Sequence, residues 1–282
     1  MTSSDLTIVI TTYKSEEKVQ DCLNSIDQSI KVIIVENSNN KDFKKQIENK
    51  FKNVECFLVN DNVGYGKANN IGLKKVRTKY SLILNPDTIL KKETINNFYA
   101  FLKKNINFAI LAPLQTNDNL ELETYDSSPS SLLEVENIKG FAMFLNMSKF
   151  SNTGFFDENI FLFLEEIDLC KRIKKINEKI YINKNIKIFH HGGKSVDKIF
   201  SHEIELTRNW HWMWSLFYFN KKHFNYFYAL IIVFPKLFSS LFKIFLYKFF
   251  YKNKKSEIYS KRLSGLFNSI IGKPSWYRPT LD

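Results

Sequence analysis

The chain has 282 residues, with 41 lysines and arginines against 29 aspartates and glutamates, and a formal charge of +12. This length fits one large α/β domain with an appendage or two smaller domains, and the charge favours an anionic partner. Because the basic residues collect beside an apolar segment, the expected partner is a nucleotide or a membrane surface, and nucleic acid is not expected.

The first third alternates short apolar runs of strand type with segments of helical character. The runs are Leu6 to Thr11, Val32 to Glu36, Val54 to Val59 and Ser81 to Leu84. Helices are predicted after Ser15, whose hydroxyl is expected to cap the first one, and near residues 43–51, 67–76 and 93–103. This alternation predicts an α/β fold with a mostly parallel sheet covered by helices, in which residues 1–113 form the nucleotide-binding half.

The middle third, residues 114–199, is interpreted as the second half of the same sheet domain. Residues 114–136 read as a loop or edge strands because they are polar and contain SSPSS. A strand is predicted from Ile138 to Leu145, a helix near Glu165 to Lys175 and a strand from Lys179 to Phe189. A turn with the sequence HHGGKS follows that strand.

The last third, residues 200–282, is predicted to be a helical region that associates with a membrane. Phe224 to Tyr251 is rich in large apolar residues, but lysines interrupt it. Wound as a helix, it has one stripe with Lys236, Ser240, Lys243, Tyr247 and Lys254, and another with Leu237, Phe238, Leu241, Phe245 and Phe249. This pattern is typical of a helix lying in a membrane surface. The alternative is a helix packed on the protein with its lysines facing water.

Three tryptophans, Trp210, Trp212 and Trp214, open this last third. An acceptor groove, a lipid interface and core packing are all compatible with them. The three cysteines form no C-x-x-C pair, and their odd number argues against a disulfide framework or a zinc site. With no signal-peptide pattern at the N-terminus, the expected location is cytoplasmic.

Candidate binding residues follow the predicted strands. Thr11 and Tyr13 come after the first strand, and Glu36 comes after the second. The Tyr13 ring can stack on a base, and the Glu36 carboxylate can accept a hydrogen bond from a ribose hydroxyl. The alternative for each residue is a role in a turn or a helix cap. Asn85 and Asp87 follow the fourth strand. One carboxylate together with substrate phosphates and waters is the usual way in which Mg²⁺ is held, although Asn-Pro-Asp also suits a turn.

A turn rich in glycine and amide side chains leads into the third predicted helix. It contains Asn62, Gly64, Lys67 and Asn70 and resembles a phosphate-binding loop only loosely. Because it does not follow the first strand and lacks the third glycine of the dinucleotide fingerprint, a Rossmann oxidoreductase is disfavoured.

Three carboxylates, Glu165, Glu166 and Asp168, open the helix predicted near residue 165. The positive end of a helix keeps such groups ionised, and an ionised carboxylate suits general-base work on a hydroxyl. A solvated helix start is the alternative. His190 or His191 is a candidate nitrogen ligand for the cation at Asp87, or simply a histidine at a strand end facing solvent.

The order of these motifs carries a resemblance to a known family. The motifs are Thr11-Thr12-Tyr13, Val35-Glu36-Asn37-Ser38, Asn62-Val63-Gly64-Tyr65-Gly66, Leu84-Asn85-Pro86-Asp87, Gly154-Phe155-Phe156-Asp157-Glu158, the segment from Glu165 to Arg172, and His190-His191-Gly192-Gly193-Lys194-Ser195. In this order the chain resembles the inverting glycosyltransferases of family 2, from about residue 6 to residue 209. Within that family it is most similar to the rhamnosyltransferase-type enzymes of bacterial surface-polysaccharide assembly, such as O-antigen synthesis.

The resemblance implies a GT-A fold, a dTDP-, UDP- or GDP-sugar donor, Mg²⁺ or Mn²⁺, and a lipid-linked acceptor at the inner face of the cytoplasmic membrane. It implies that Thr11, Tyr13 and Glu36 bind the nucleoside, with Asn62, Gly64, Lys67, Asn70 and Asn85 also on the donor side. Asp87 matches the last acid of the D-x-D motif, and His190 a histidine that completes the metal site. Glu166 matches the catalytic base, and Asp168 and Arg172 belong to the same motif.

Two positions depart from the family pattern, since Glu166 and Glu36 stand where aspartate is usual. The longer side chain at the base position leaves room for Glu165 to share the role. These changes keep open a transferase-like protein that binds glycan without turnover. A sugar-phosphate nucleotidyltransferase is a further rival, disfavoured because Thr11-Thr12-Tyr13-Lys14 lacks the glycine-rich loop that such enzymes place after the first strand.

Overall fold

The computed structural model describes residues 5–116, 131–192 and 201–278. The chain divides into two compact units. The sheet unit comprises Met1–Phe156 and Leu169–Val196, and the helical unit comprises Asp157–Asp168 and Asp197–Asp282. Each unit is described by itself below.

The sheet unit is built on a mixed sheet, nine-stranded over the described residues, in the order β3-β2-β1-β4-β8-β6-β9-β5, with β7 paired to β9. The strands are β1 (Leu6–Thr12), β2 (Lys31–Glu36), β3 (Val54–Leu58), β4 (Tyr80–Leu84), β5 (Thr88–Leu90), β6 (Ile110–Thr116), β7 (Leu132–Glu134), β8 (Ala142–Asn146) and β9 (Ile180–His190). The first four run parallel to one another, and β8 pairs antiparallel to β4. The carboxyl ends of β1, β2 and β4 therefore share one edge, which is the ligand-binding edge of open α/β sheets.

Apolar side chains alternate between the two faces of this sheet, as expected for a sheet buried on both sides. Ile8 and Leu82 belong to a core on one face, whereas Val9 and Ile83 belong to a core on the other. The continuous hydrophobic runs of β1 and β4 follow from this double burial.

Over the described residues, four α-helices belong wholly to the sheet unit: α1 (Glu16–Asn24), α2 (Lys41–Lys50), α3 (Tyr65–Leu73) and α4 (Thr94–Leu102). A further helix, α5 (Glu165–Lys175), has its first residues in the helical unit and belongs to the sheet unit from Leu169 onward. The helix starts predicted at residues 16 and 165 are confirmed. The predicted cap is wrong, because Ser15 Oγ accepts from the Tyr13 amide and not from an amide of α1. Gly72 lets α3 approach the sheet, since a Cβ there would lie 2.6 Å from Val9 Cγ1.

The helical unit contains α6 (Ser201–His223), α7 (Tyr226–Phe249) and α8 (Asn253–Ile270). Its core includes Met213, Phe217, Ala229, Val233 and Leu266. Among the alternatives for the tryptophans, core packing is confirmed for Trp210 and Trp214, whose indole N–H groups donate to Ser264 Oγ and to the Lys273 carbonyl. Trp212 is exposed and meets Phe163 edge to face.

The structure differs from the predicted elements in three strands, and one of them, β5, had no counterpart in the sequence interpretation. β8 begins at Ala142 and not at Ile138. Ile138 is buried, but it lies outside the ladder, and Lys139, Gly140 and Phe141 separate it from the strand. β6 was not predicted, because its run is short and contains Pro113, yet it pairs with β8 and β9. Residues 117–130, with all of the SSPSS segment except Ser131, and residues 193–200, with the end of the HHGGKS turn, lie outside the described residues.

Candidate active site

The end of β1 presents two buried hydroxyls. Thr11 Oγ1 and Thr12 Oγ1 have no hydrogen-bond partner within the described residues. Tyr13, half-buried, follows them; burial raises the pKa of its hydroxyl, while a hydrogen bond with Asn62 works in the opposite direction. Buried polar groups without partners are uncommon because they lose their hydration. This strand end therefore suits a polar ligand.

Glu36, at the end of β2, is almost fully buried and has partners of its own. Its carboxylate accepts from the Ser38 amide and hydroxyl and, at 2.7 Å, from the Asn40 amide. Asn40 in turn accepts from the Phe43 amide at the start of α2. These contacts give Glu36 the turn-stabilising role that was the alternative at this position, and its contact with a nucleoside stays a prediction.

A second loop is tied to the end of β2 through two amide side chains. Asn37 Nδ2 donates to Asn62 Oδ1 at 2.8 Å, and Asn37 Oδ1 accepts from the Val63 amide at 3.0 Å. The Gly64 amide donates to Asn62 Oδ1, and Gly64 has a φ of +87°, a conformation that favours glycine. The structure thus brings Tyr13, Asn62 and Gly64 to one edge of the sheet.

The two other residues predicted from this turn lie within α3. Lys67 is half-buried in the first turns of the helix. Asn70 is buried, and both ends of its amide bind the Phe156 backbone, with Nδ2 donating to the carbonyl at 2.9 Å and Oδ1 accepting from the amide at 3.0 Å. This places Asn70 in a packing contact, and its donor-binding role is untested.

Asp87 and His190 come together because β5 and β9 are antiparallel neighbours. Thr88 pairs with His190 in that ladder, the His191 amide donates to the Asp87 carbonyl, and His190 Nε2 lies 3.3 Å from Asp87 Oδ1. The His190 ring stacks on Phe141. These contacts hold an imidazole nitrogen and a carboxylate oxygen side by side at the end of the sheet.

The oxygens around Asp87 fit a divalent cation. Asp87 is 3% exposed, and within the described part of the chain neither its Oδ1 nor Asn85 Oδ1 has a hydrogen-bond donor. Over residues 5–116, 131–192 and 201–278, no cluster of three or more His, Cys, Asp or Glu could hold a metal alone. A single carboxylate is nevertheless enough for Mg²⁺ when substrate phosphates and waters complete the coordination.

The start of α5 combines backbone strain with two adjacent carboxyl groups. Phe163 and Leu164 both have positive φ, +70° and +68°, which is rare outside glycine and clusters at functional sites. Glu165 is buried, and its Oε2 has no hydrogen-bond partner among the described residues; burial and the charge of Glu166 raise its pKa well above the usual range. Glu166 is half-buried, and burial raises its pKa too.

Asp168, two residues further on, is fully buried but has two basic partners within the helical unit. Its Oδ1 accepts from Lys222 Nζ at 2.6 Å and from His223 Nε2 at 2.8 Å. Lys222 also donates to Asp157 Oδ2 at 2.7 Å, beside the Tyr218 hydroxyl. Burial alone would raise the pKa of Asp157, but bonds from Lys222 and Asn159 lower it. The sequence interpretation missed Lys222 and His223, since no local pattern links them to a carboxylate 54 residues earlier.

Arg172, in the next turn of α5, is tied to the turn that precedes the helix. Its guanidinium donates to the Thr153 carbonyl at 2.8 Å and to the Phe155 carbonyl. Arg172 thus holds the turn at Thr153 and Phe155, and Asn70 binds the backbone of the following residue, Phe156. This gives two of the predicted motif residues a shared role in packing the sheet unit.

Comparison with known proteins assigns the chain to a family. The family described as glycosyl transferase family 2 matches residues 7–170, more than half of the chain. The protein therefore belongs to glycosyltransferase family 2, which confirms the family inferred from the order of the motifs.

Two curated proteins are related to this chain at about a quarter of identical residues. The low-salt glycan biosynthesis hexosyltransferase Agl10 of Haloferax volcanii is 25% identical over 198 residues, covering 62% of this chain and 64% of that protein. The rhamnosyltransferase WbbL of Escherichia coli K12 is 24% identical over 230 residues, covering 69% of this chain and 86% of that protein. The chain thus spans about two thirds of the length of the Haloferax relative.

A solved structure shows the same fold. The mannosyltransferase PcManGT from Pyrobaculum calidifontis, in complex with GDP-Man and Mn²⁺, superimposes with a TM-score of 0.57 at 10% identity, covering 94% of this chain and 87% of that one. At this identity the likeness concerns the fold alone. The predicted GT-A fold, a mixed α/β sheet with flanking helices and an apolar C-terminal helix, is confirmed.

Proposed function

We propose that the protein is an inverting, metal-dependent glycosyltransferase that moves a hexose or deoxyhexose such as rhamnose from a nucleoside-diphosphate sugar to a hydroxyl of a growing glycan. The observation that carries this proposal is the family match over residues 7–170, which includes both Asp87 and Glu166. The names of the relatives, a hexosyltransferase of glycan biosynthesis and a rhamnosyltransferase, support the substrate class.

The donor side of the proposal rests on the carboxyl ends of β1, β2 and β4. Thr11, Tyr13, Glu36 and the loop at Asn62 and Gly64 are proposed to bind the nucleoside and sugar. Asp87, with Asn85 and His190, is proposed to bind the cation, because its buried oxygen has no donor among the described residues. When bound there, Mg²⁺ or Mn²⁺ supplies charge stabilisation to the departing diphosphate.

The acceptor side of the proposal rests on Glu166. The acceptor hydroxyl loses its proton to the Glu166 carboxylate while its oxygen bonds to the anomeric carbon, and the bond from that carbon to the diphosphate breaks on the opposite face. One displacement of this kind inverts the anomeric configuration. The raised pKa of Glu166 makes its carboxylate a stronger base than a solvated glutamate, which suits proton abstraction.

We propose that the acceptor is a lipid-linked oligosaccharide and that the protein works as a peripheral protein at the inner face of a bacterial cytoplasmic membrane. The apolar helix α7 supports a location at a membrane. It is long enough to cross one, and only 17% of its most apolar 18-residue stretch is buried in the protein. The name of the Haloferax relative, a hexosyltransferase of glycan biosynthesis, supports a glycan as the acceptor.

The proposed function is tested by release of nucleoside diphosphate from a set of dTDP-, UDP- and GDP-sugars with Mn²⁺. Thermal unfolding in the same mixtures identifies the donor, because a ligand that binds the folded state raises the unfolding temperature more, the further its concentration exceeds its Kd. We expect one donor to be turned over with Mn²⁺ and not with EDTA. Donor binding without turnover in the presence of extracts containing lipid-linked glycan would support the non-catalytic alternative instead.

A further inference from the structure

Helix α7 has a continuous apolar stripe on its exposed side. Large side chains at intervals of three or four residues form it: Phe227, Ile231, Phe234, Phe238, Leu241, Phe242, Phe245 and Phe249. Phe227, Ile231 and Phe245 are each at least 70% exposed. From Phe227 to Phe249 the stripe extends about 33 Å, at 1.5 Å of rise per residue. An exposed apolar band of this length marks an interaction surface.

The opposite side of α7, which carries lysines, is the side that packs on the protein. Ser240 is buried there, Lys243 Nζ donates to the Tyr259 hydroxyl on α8 at 3.1 Å, and Lys243 lies over the ring of that tyrosine. This arrangement contradicts the alternative of a helix packed through its apolar side with lysines in water. The Ser240 stripe faces the helical unit, and the phenylalanines face outward. Leu237, predicted on the apolar stripe with them, instead packs against the core of the helical unit.

We propose that α7 lies in the plane of an anionic phospholipid surface and inserts the stripe from Phe227 to Phe249 into it. This inference rests on the membrane location in the proposed function and names the surface that makes the contact. It concerns membrane binding and not sugar transfer. Transferring an exposed phenylalanine from water to hydrocarbon is favourable through the apolar area removed from water. Eight large side chains on one face give the helix a substantial driving force for insertion.

The charges at the two ends of α7 select the kind of lipid. Lys221 and Lys222 precede the helix, and Lys248, Lys252, Lys254 and Lys255 lie at or beyond its end. Of these, Lys252, Lys254 and Lys255 are exposed, whereas Lys222 is held by two aspartates. Between the ends, the stripe itself carries no charged residue. Exposed lysines beside an inserted helix attract anionic headgroups and give neutral lipid no comparable advantage.

An in-plane position is favoured over a transmembrane one because α8 packs along α7. Ser256 Oγ donates to the Ile244 carbonyl, and the rings of Tyr247 and Tyr259 approach to 5.6 Å. Crossing the bilayer would carry the charged residues of α8, such as Lys254 and Arg262, into hydrocarbon with α7, which is strongly unfavourable. Lying in the surface leaves these charges at the headgroup level.

The experiment is flotation of the full chain with vesicles of phosphatidylcholine alone or mixed with phosphatidylglycerol. The variant Phe234→Ser/Phe238→Ser removes two adjacent members of the stripe. We expect its partition coefficient into mixed vesicles to fall about a hundredfold, because the loss of each phenylalanine should lower that coefficient about tenfold. The matched control Leu133→Ser/Ile176→Ser removes two exposed apolar side chains from the sheet unit and should bind as the wild type does.

The charge contribution is measured with Lys252→Gln/Lys254→Gln/Lys255→Gln. We expect about a fivefold loss for each lysine on vesicles with phosphatidylglycerol, and no change on phosphatidylcholine alone. Wild-type flotation of the phenylalanine variant, with unchanged thermal unfolding, would overturn the proposal. A wild-type chain that does not float, but forms dimers that the phenylalanine variant loses, would assign the stripe to a second copy and overturn it equally.

Depth measurements separate the in-plane from the spanning position. A single cysteine at Phe227, Phe238 or Phe249 is labelled with an environment-sensitive dye; the three native cysteines are buried in the fold. We expect lipid-borne quenchers to report the same shallow depth at all three sites, whereas a deep reading at Phe238 alone would contradict the in-plane position. Donor turnover measured without vesicles tests the proposed function separately, so the failure of one is distinguishable from the failure of the other.

Discussion

Two buried aspartates, one in each unit, have opposite electrostatic surroundings. Asp168 is fully buried in the helical unit and bonded to Lys222 and His223. Asp87 is buried at the edge of the sheet unit, and His190 Nε2 lies 3.3 Å from its Oδ1 without completing a hydrogen bond to it. A buried charge is strongly unfavourable unless it is paired or binds a metal. The protein therefore supplies the counter-charge for Asp168, and we infer that a ligand supplies it for Asp87.

The carboxyl groups at the start of α5 resemble Asp87 more than Asp168. Glu165 and Glu166 have raised pKa values through burial and, for Glu165, through the charge of its neighbour. Carboxylates that the fold leaves destabilised are frequent at functional sites. The comparison therefore predicts that changes at Glu166 and Asp87 affect activity, whereas changes around Asp168 affect stability.

The largest expected effect is that of Glu166→Gln, which removes the proposed base and keeps the shape of the side chain. We expect transfer to fall about a thousandfold, within the range typical of general-base catalysis, and donor binding to change little. The rate of nucleoside-diphosphate release measures it. The matched variant Glu166→Asp restores the residue usual in the family and should keep most of the activity. Wild-type turnover in Glu166→Gln would refute the assignment.

Asp87→Asn should separate binding from stability. We expect transfer to fall about a hundredfold because a metal that clamps phosphate oxygens stabilises developing charge by several kcal/mol. Thermal unfolding without ligand should be unchanged or occur at higher temperature, since the variant removes a buried charge that has no cation. Asp61→Asn, at an exposed aspartate, is the control. A large loss of stability in Asp87→Asn would show that the comparison between the two aspartates is wrong.

Lys222→Met should destabilise the protein by about 2–3 kcal/mol, below the full cost of breaking a buried ion pair because Lys222 is partly exposed. The loss is expected because Asp168 and Asp157 both lose the lysine that bonds to them. Denaturant unfolding measures this effect. The neighbouring Lys221→Met, at an exposed lysine, serves as the control and should change stability little. Equal stabilities for the two variants would show that Lys222 does not supply a stabilising counter-charge to Asp168.

The smallest expected effect is a change in pH dependence in Glu165→Gln. The pKa of Glu165 is raised in the folded state, so the stability it contributes is present below its unfolded value and lost as pH rises above that value. The glutamine variant lacks this titration. We therefore expect it to be more stable than the wild type at pH 7 and no more stable near pH 4. Parallel pH profiles of unfolding free energy for the two proteins would argue against a raised pKa.

Elements whose residues repeat regularly could be predicted from the sequence, and contacts between distant segments could not. The doubly buried strands β1 and β4 and the apolar stripe of α1 have periodic patterns that point to their structure. β6 was missed because its pairing partners, β8 and β9, lie far along the chain. The two stripes of α7 were also visible, but which stripe packs on the protein depends on Tyr259 and Ser256 in α8, so only the structure shows that the lysine-bearing side faces inward.

The candidate site follows the same rule. Asp87 and His190 could each be proposed as cation ligands from their places at predicted strand ends, and the resemblance to the family pointed to the same two residues. Their proximity could not be read from the sequence, because it depends on the pairing of β5 with β9, in which Thr88 lies opposite His190. The two basic partners of Asp168 had no sequence signal at all, since a Lys-Lys-His sequence at a helix end is typical of an ordinary basic terminus.

The most direct test of the central claim is the Mn²⁺-dependent stabilisation of the protein by UDP, GDP and dTDP. Thermal unfolding of the wild type and of Asp87→Asn is compared with Mn²⁺ and with EDTA. If a cation supplies the counter-charge of Asp87, at least one nucleotide raises the unfolding temperature of the wild type with Mn²⁺ only, and Asp87→Asn loses that increase. The same increase in both proteins, or one that persists in EDTA, would contradict the account.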